Sequence, residues 1–298
     1  MITVTGLSKR FGDRIAVDDL SFELTDSRVT GFVGPNGAGK STTMKMMVGL
    51  IRPDQGEVRY DGVRYTDLDH PARTIGAVLD AQSMNPGRTA RNHLRAMAAL
   101  SGIAPRRVDE VLSEVGLETA ADQRAGGFSL GMRQRLALAG ALLGEPTALL
   151  LDEPSNGLDP DGIRWLRNYL SAFAERGGTV LVSSHLISEL AMFADDLVVL
   201  GHGRLIAAES LAEISARNGT TVVVRTPQAE QFVAVLAQRA LTVRTVEDRL
   251  HIFGTTLADV SQLAFDHGIR LFELTETSQS LEDSLLDMTR SSAEFTSA

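Results

Sequence analysis

Over the first 27 residues apolar and polar side chains alternate, with Ile2, Val4 and Leu7, then Ile15, Val17, Leu20, Phe22 and Leu24 on the apolar phase. A period of two predicts two half-buried strands, with Gly12-Asp13 as the turn between them. The run Val29-Thr30-Gly31-Phe32-Val33 is continuous rather than alternating and reads as a strand buried on both faces, followed by a helix-like stretch over 42–48. Turn signals at Asp54-Gln55-Gly56 and Asp61-Gly62 bracket a short strand, 57–60. From about residue 89 to 144 the period becomes helical, over 90–100, 105–116 and 136–143, with Ser129 placed to cap the last of these. Then come a buried strand at 148–151, a helix at 163–173, a buried strand at 179–183, a helix at 187–193 and a strand at 197–200. Strands alternating with helices predict a mostly parallel α/β sheet.

Asn218-Gly219 is a linker signal, and it separates a first domain, 1–217, from a second, 218–298. The second shows a compact βαββαβ pattern: strands at 221–225, 241–246, 250–254 and 269–274, and helices at 229–239 and 257–267. That order predicts a small α+β sandwich of ferredoxin-like type. Ser280 then opens a last helix, 281–288, before a polar tail.

Composition narrows the class. At 298 residues the chain can build a sizeable core in one or two domains, and 43% hydrophobic with 22% charged residues is ordinary for a globular protein. A net charge of -9 argues against a chain that grips nucleic acid, so no nucleic-acid partner is expected. The absence of cysteine excludes disulfides, thiol nucleophiles and thiolate metal sites. The first residues are strand-like, meet Lys9 and Arg10 early and lack a signal-peptide layout. Apolar runs such as 136–143 are cut by Gly144-Glu145-Pro146, far short of a membrane span. The expected location is therefore cytoplasmic, with any membrane role supplied by a partner subunit.

Between the predicted strand at 29–33 and the helix that follows lies Gly34-Pro35-Asn36-Gly37-Ala38-Gly39-Lys40-Ser41. Gly, four residues, Gly-Lys-Ser in a strand–loop–helix context is a phosphate-binding loop. Its glycines let the backbone approach an anion, and the loop N–H groups, with those of the helix start including Thr42, cradle phosphate oxygens. Lys40 is placed to bridge β- and γ-phosphates and the Ser41 hydroxyl to hold Mg²⁺. Asp152 and Glu153 follow four apolar residues at the end of a predicted strand. There Asp152 can hold Mg²⁺ directly or through water, and Glu153 can polarise an attacking water. Ser129-Leu130-Gly131-Met132-Arg133-Gln134 precedes a helix whose first N–H groups could face an anion or simply be capped. His185 ends a predicted strand, and by itself reads as a satisfied or solvated histidine. Phe11, just before the first turn, could stack on adenine or fill the core. His70, His93, His202, His251 and His267 show no ligand spacing.

Together these pieces resemble an ABC-type ATPase subunit over residues 1 to about 215, because five elements fall in that family's order. Residues 34–41 look like the Walker A loop, 129–134 like the signature (usually Leu-Ser-Gly-Gly-Gln) and 149–153 like Walker B with Glu153 as the catalytic carboxylate. Gly157-Leu158-Asp159 looks like the D-loop, His185 like the H-loop switch and Phe11 like the adenine-stacking aromatic. Two departures stand out. Leu130 replaces a glycine and Met132 a glutamine in the signature. The register of 75–78 and Pro86 puts Asp80, not the usual glutamine, in the Q-loop; Gln82 lies two residues later, and Asp80 is preferred as the site residue, facing Mg²⁺ or water.

The resemblance implies an α/β P-loop NTPase of ABC ATPase type, with an antiparallel β subdomain, a helical subdomain over about 86–145 and the small α+β domain behind it. It implies ATP and Mg²⁺ as cofactors and a head-to-tail homodimer. In that dimer each ATP lies between one chain's Walker A loop and the other's Ser129, Gly131 and Asp159. It further implies a separate polytopic membrane permease, a peripheral position at the cytoplasmic face of the cell membrane, and export of a drug, antibiotic or peptide. The competing class is a soluble ABC ATPase acting in translation or DNA repair, and a third is a P-loop kinase, against which the signature segment argues. The C-terminal domain carries none of the phosphate-handling motifs and is expected to be an accessory.

Overall fold

A computed structural model describes residues 1–80, 84–184, 187–217, 220–239 and 241–278. The chain divides into two compact units, Met1–Leu211 and a second that begins at Ala212. In the first, β1 (Ile2–Phe11) and β2 (Arg14–Leu24) form the expected antiparallel pair around Gly12-Asp13. Then follow β3 (Val29–Val33), α1 (Lys40–Met47), β4 (Gln55–Tyr60), β5 (Val63–Arg64), α2 (Pro71–Thr74) and β6 (Ile75–Val78). Three helices come next, α3 (Ala90–Leu100), α4 (Arg106–Glu114) and α5 (Leu130–Leu142). The unit closes with β7 (Ala148–Leu151), α6 (Pro160–Glu175), β8 (Thr179–Ser184), α7 (Ile187–Leu190), β9 (Asp196–Gly201) and β10 (Arg204–Ser210), and α8 (Leu211–Arg217) leads on.

Two sheets organise this unit. One is antiparallel, in the order β2-β1-β4-β5; the other runs β10-β9-β3-β8-β7-β6 and is parallel except for the β10–β9 pair. β3 lies between β8 and β9 with all five residues buried, which is why its sequence is continuously apolar. One apolar core joins the two sheets through α1: Met44 and Met47 are fully buried among Leu7, Leu20, Phe22, Phe32, Leu150 and Leu181. Each such side chain contributes about 1.5–3 kcal/mol through burial. The Tyr60 hydroxyl donates to the Met47 carbonyl at 2.8 Å, tying the end of α1 to the antiparallel sheet. The loop before α1 is therefore held from both sides. α3, α4 and α5 pack on one another through Leu94, Val108, Val111, Leu112 and Leu136, all at or below 1% exposure.

Several elements differ from the pattern reading. α5 starts at Leu130, six residues before the expected apolar stripe, because Ser129 caps it there. α7 ends at Leu190 rather than reaching 193, and β10, whose residues are exposed or half-buried, was not expected at all.

The second unit contains β11 (Thr220–Arg225), α9 (Ala229–Gln238), β12 (Thr242–Val246), β13 (Arg249–Phe253), α10 (Leu257–Asp266) and β14 (Glu273–Ser278). Its sheet is antiparallel in the order β12-β13-β11-β14, the arrangement a βαββαβ sandwich requires. It has its own core, including Val222, Val224, Phe232, Leu236, Leu250, Ile252 and Val260. The last strand lies four residues later than the expected 269–274. Gly268, at φ +65°, ends α10, and the Ile269 N–H then donates to the Ala264 carbonyl at 2.9 Å with the side chain 6% exposed. The chain rejoins the sheet only at Phe272, whose N–H reaches the Arg225 carbonyl at 2.8 Å. The helix expected at 281–288 lies outside the described residues. Among the described residues no helix is long and apolar enough to cross a membrane.

Candidate functional site

The loop 34–39 leaves the C-terminal end of β3 and enters α1 at Lys40. Gly39 sits at φ +104°, and a Cβ there would lie 2.6 Å from the Ala16 carbonyl oxygen, so only glycine lets the loop press onto β2. The first N–H groups of α1 have no intrahelical acceptor and, with the loop amides, make an anion cradle. Together they line a cavity of about 380 Å³ whose walls are Phe11, Arg14, Ala16, residues 36–42 and Glu153.

Lys40 is only 7% exposed, and its Nζ donates to the Gly34 carbonyl at 2.6 Å. Burial holds its ammonium below the usual lysine range, and the charges of Glu153 and then Asp152 partly restore it. A buried cation thus faces two carboxylates at one end of the cradle. Both residues follow β7, and Ser183 on neighbouring β8 clamps them, Asp152 by its carboxylate and Glu153 by its backbone. Its hydroxyl donates to Asp152 Oδ1 at 2.6 Å and accepts the Glu153 N–H at 2.9 Å. Ser183 is fully buried. Glu153 itself adopts φ +49°, the left-handed region, a conformation that costs about 1 kcal/mol or more for a non-glycine residue. The site therefore offers N–H donors and an ammonium for a polyphosphate, oxygen donors for a hard cation and a carboxylate that can accept a proton.

Phe11 is 49% exposed at the cavity mouth, which removes the core reading. It pairs across the β1–β2 turn with Arg14, whose Nη2 would lie 3.1 Å from a Cβ on Gly37. Neither Arg14 nor Ser183 was singled out from the sequence. The only sequence signal for Ser183 is a hydroxyl inside an otherwise buried strand.

Phe11, the loop, Lys40, Ser41, Thr42 and Glu153 thus meet at one cavity, with Asp152 bonded behind it. Gly34 and Pro35 form the loop's stem. Ser129, Gly131 and Asp159 do not line this cavity in the same chain. Ser129 Oγ accepts the Met132 N–H at 3.2 Å as the cap of α5, and Asp159 Oδ1 accepts the Gly162 N–H at 2.8 Å as the cap of α6. Asp80, two residues past β6, lines a groove of about 750 Å³ with Tyr65, Leu79 and Ile103 and is not among the residues lining the phosphate cavity. His185 and Gln82 lie outside the described residues.

Removing the Ser183 hydroxyl should loosen the Asp152 carboxylate and the Glu153 backbone at once. Ser183→Ala is expected to lower thermal stability by about 1–3 kcal/mol, since the partners lose a buried hydrogen bond. It should also slow ATP turnover by roughly tenfold, the scale of a mispositioned general base. Thermal melting and a phosphate-release assay check both; unchanged turnover would show that the clamp does not position the site.

Comparison with known proteins agrees with this geometry. A family model described as ABC transporter matches residues 17–156, and one described as a domain of unknown function (DUF8746) matches 220–282. The uncharacterized ABC transporter ATP-binding protein YhcH of Bacillus subtilis (strain 168) is 35% identical over 292 residues, covering 97% of this chain and 96% of the relative. The bacitracin transport ATP-binding protein BcrA of Bacillus licheniformis is 33% identical over 292 residues, covering 95% of each. Among solved structures, the dimeric post-hydrolysis state of the ATP-binding cassette MJ0796 bound to ADP and Pi aligns with a TM-score of 0.64. It is 26% identical and covers 71% of this chain and 99% of that one. The chain belongs to the ATP-binding subunits of ABC transporters. It is an ATPase of P-loop type whose hydrolysis drives transport, and the soluble translation or repair reading is not favoured.

Proposed function

We propose that this chain powers the export of an antibiotic or peptide through a separate polytopic membrane permease, working as a head-to-tail homodimer at the cytoplasmic face of the membrane. The observation that carries the export reading is the similarity to a bacitracin transport ATP-binding protein along 95% of both chains, second unit included. The dimer reading is supported by Ser129, Gly131 and Asp159 lying away from the chain's own phosphate cavity, where they would serve a partner's nucleotide. It is also supported by the dimeric form of the similar MJ0796 cassette.

In this reading Phe11 stacks on adenine, the loop 34–39 and the start of α1 at 40–42 hold the phosphates, and Lys40 supplies the point charge on the β- and γ-phosphates. The Ser41 hydroxyl and the Asp152 carboxylate are oxygen donors that fit Mg²⁺, which would neutralise phosphate charge when bound. Among the described residues no cluster of three acidic or histidine side chains could hold a metal alone, so the nucleotide's own oxygens would complete that shell. Asp80, in the Q-loop position, would face Mg²⁺ or water. Glu153 orients and deprotonates the attacking water, and His185 holds the γ-phosphate geometry.

Co-expression with the product of a neighbouring multi-span gene tests the transport reading. Joint purification from membranes, with antibiotic sensitivity on deletion of either gene, is expected; a chain that stays unbound and a deletion without sensitivity would contradict it. The accessory role of the C-terminal unit has a separate test. Because each unit has its own core, a fragment ending at residue 217 should fold and bind ATP with affinity within about threefold of the whole chain. A folded fragment that fails to bind ATP would move the domain boundary.

A further inference from the structure

The signature segment and the loop after Walker B interlock through two leucines and two glycines. Leu130, the first residue of α5, lies over Gly157. A Cβ on Gly157 would fall on Leu130 Cδ2 and 2.7 Å from its Cγ. In return Leu158 lies over Gly131, where an added Cβ would meet Leu158 Cδ2 at 3.3 Å. Gly157 is at φ +74°, so glycine is required there by backbone conformation as well as by space.

Both sides of this contact are stiff. The Asn156 N–H donates to the Glu153 carbonyl at 3.2 Å and the Leu158 N–H to the Ser155 carbonyl at 3.1 Å, so consecutive turns connect Glu153 to Leu158. Asp159 then caps α6. On the other side Ser129 caps α5, and one turn further on the Arg135 guanidinium lies 4.0 Å from the Trp165 ring centroid on α6. Leu130 stands where the family signature usually has glycine, so its half of the contact exists because of the residue this chain carries.

We propose that Leu130 and Leu158 form a reciprocal latch, each leucine seated on the other segment's glycine, that locks Ser129 to the loop carrying Glu153, making Leu130 a positioning residue for hydrolysis. Through the latch, movement of the Glu153 loop is transmitted to the end of α5 that a partner subunit's nucleotide would meet. The proposal rests on the head-to-tail dimer argued above. Leu130 is 38% exposed, so its truncation removes the contact without opening the core.

The test is steady-state ATP hydrolysis with a fluorescent ATP analogue titrated in parallel. Leu130→Ala is expected to lower kcat by roughly tenfold while KM and analogue affinity change by less than about twofold, and Leu130→Met should restore kcat. Leu158→Ala should do the same, and the double variant should be little worse than either alone, because both remove one interaction. In a Glu153→Gln background, Leu130→Ala should raise by roughly tenfold the ATP concentration needed to form the dimer. Normal kcat in Leu130→Ala, or additive losses in the double variant, would overturn the latch alone. A Glu153→Gln protein that binds ATP yet stays monomeric would overturn the dimer reading and the latch with it.

Discussion

Glu153→Gln should keep ATP and lose hydrolysis. The amide preserves the size of the side chain at the cavity wall and the backbone N–H that Ser183 accepts, so the loop after β7 stays in place. It removes the basic oxygen that prepares water and a negative charge that would face the γ-phosphate. Turnover should fall by ~10²-fold or more, the scale of general-base loss. Affinity should hold or rise, since one carboxylate of the pair opposing a polyphosphate is neutralised. Because closure needs bound ATP and reopening needs hydrolysis, the variant should accumulate as an ATP-bound dimer on size-exclusion chromatography. Normal turnover would exclude Glu153 as the base. Asp152→Asn should differ by weakening Mg²⁺ retention, visible as a higher Mg²⁺ requirement for any residual activity.

Lys40→Ala should act earlier in the cycle. Lys40 Nζ is buried and held at the Gly34 carbonyl, so its loss removes the cradle's buried cation and leaves the backbone N–H groups, the hydroxyls of 41–42 and Arg14 at the wall. ATP affinity should fall by about tenfold or more, as expected when a charge-assisted contact worth roughly 1.5–3 kcal/mol is removed, and hydrolysis should be abolished. The burial of an ammonium is itself unfavourable, so the same variant should melt no lower than the parent without nucleotide. Titration of a fluorescent ATP analogue separates this outcome from general unfolding.

Local chemistry was the most legible part of the chain. The phosphate loop could be read because glycines, lysine and serine must follow one another at fixed spacing, and because β3 is buried on both faces and therefore continuously apolar. Asp152 and Glu153 stood out for the same reason, at the end of four buried residues. What escaped depends on which strands are neighbours. Ser183 clamps the Asp152 carboxylate and the Glu153 backbone only because β8 lies beside β7. Arg14 reaches the cavity only because hairpin register sets it opposite Phe11. β10 at the sheet's edge and β14 with its Glu-Leu-Thr-Glu-Thr-Ser sequence lack the alternation that marks a half-buried strand. The start of α5 could be read only from its cap: residues 130–135 carry no apolar stripe, and Ser129, not periodicity, begins that helix.

Phosphate release by the purified chain and by Lys40→Ala, side by side in ATP with Mg²⁺ and again with the metal chelated, bears most directly on the central claim that this cavity hydrolyses ATP. The parent chain should release phosphate only with Mg²⁺ present, and Lys40→Ala should release none above background. Equal release by the two proteins would contradict the assignment of the 34–41 loop as the site of hydrolysis.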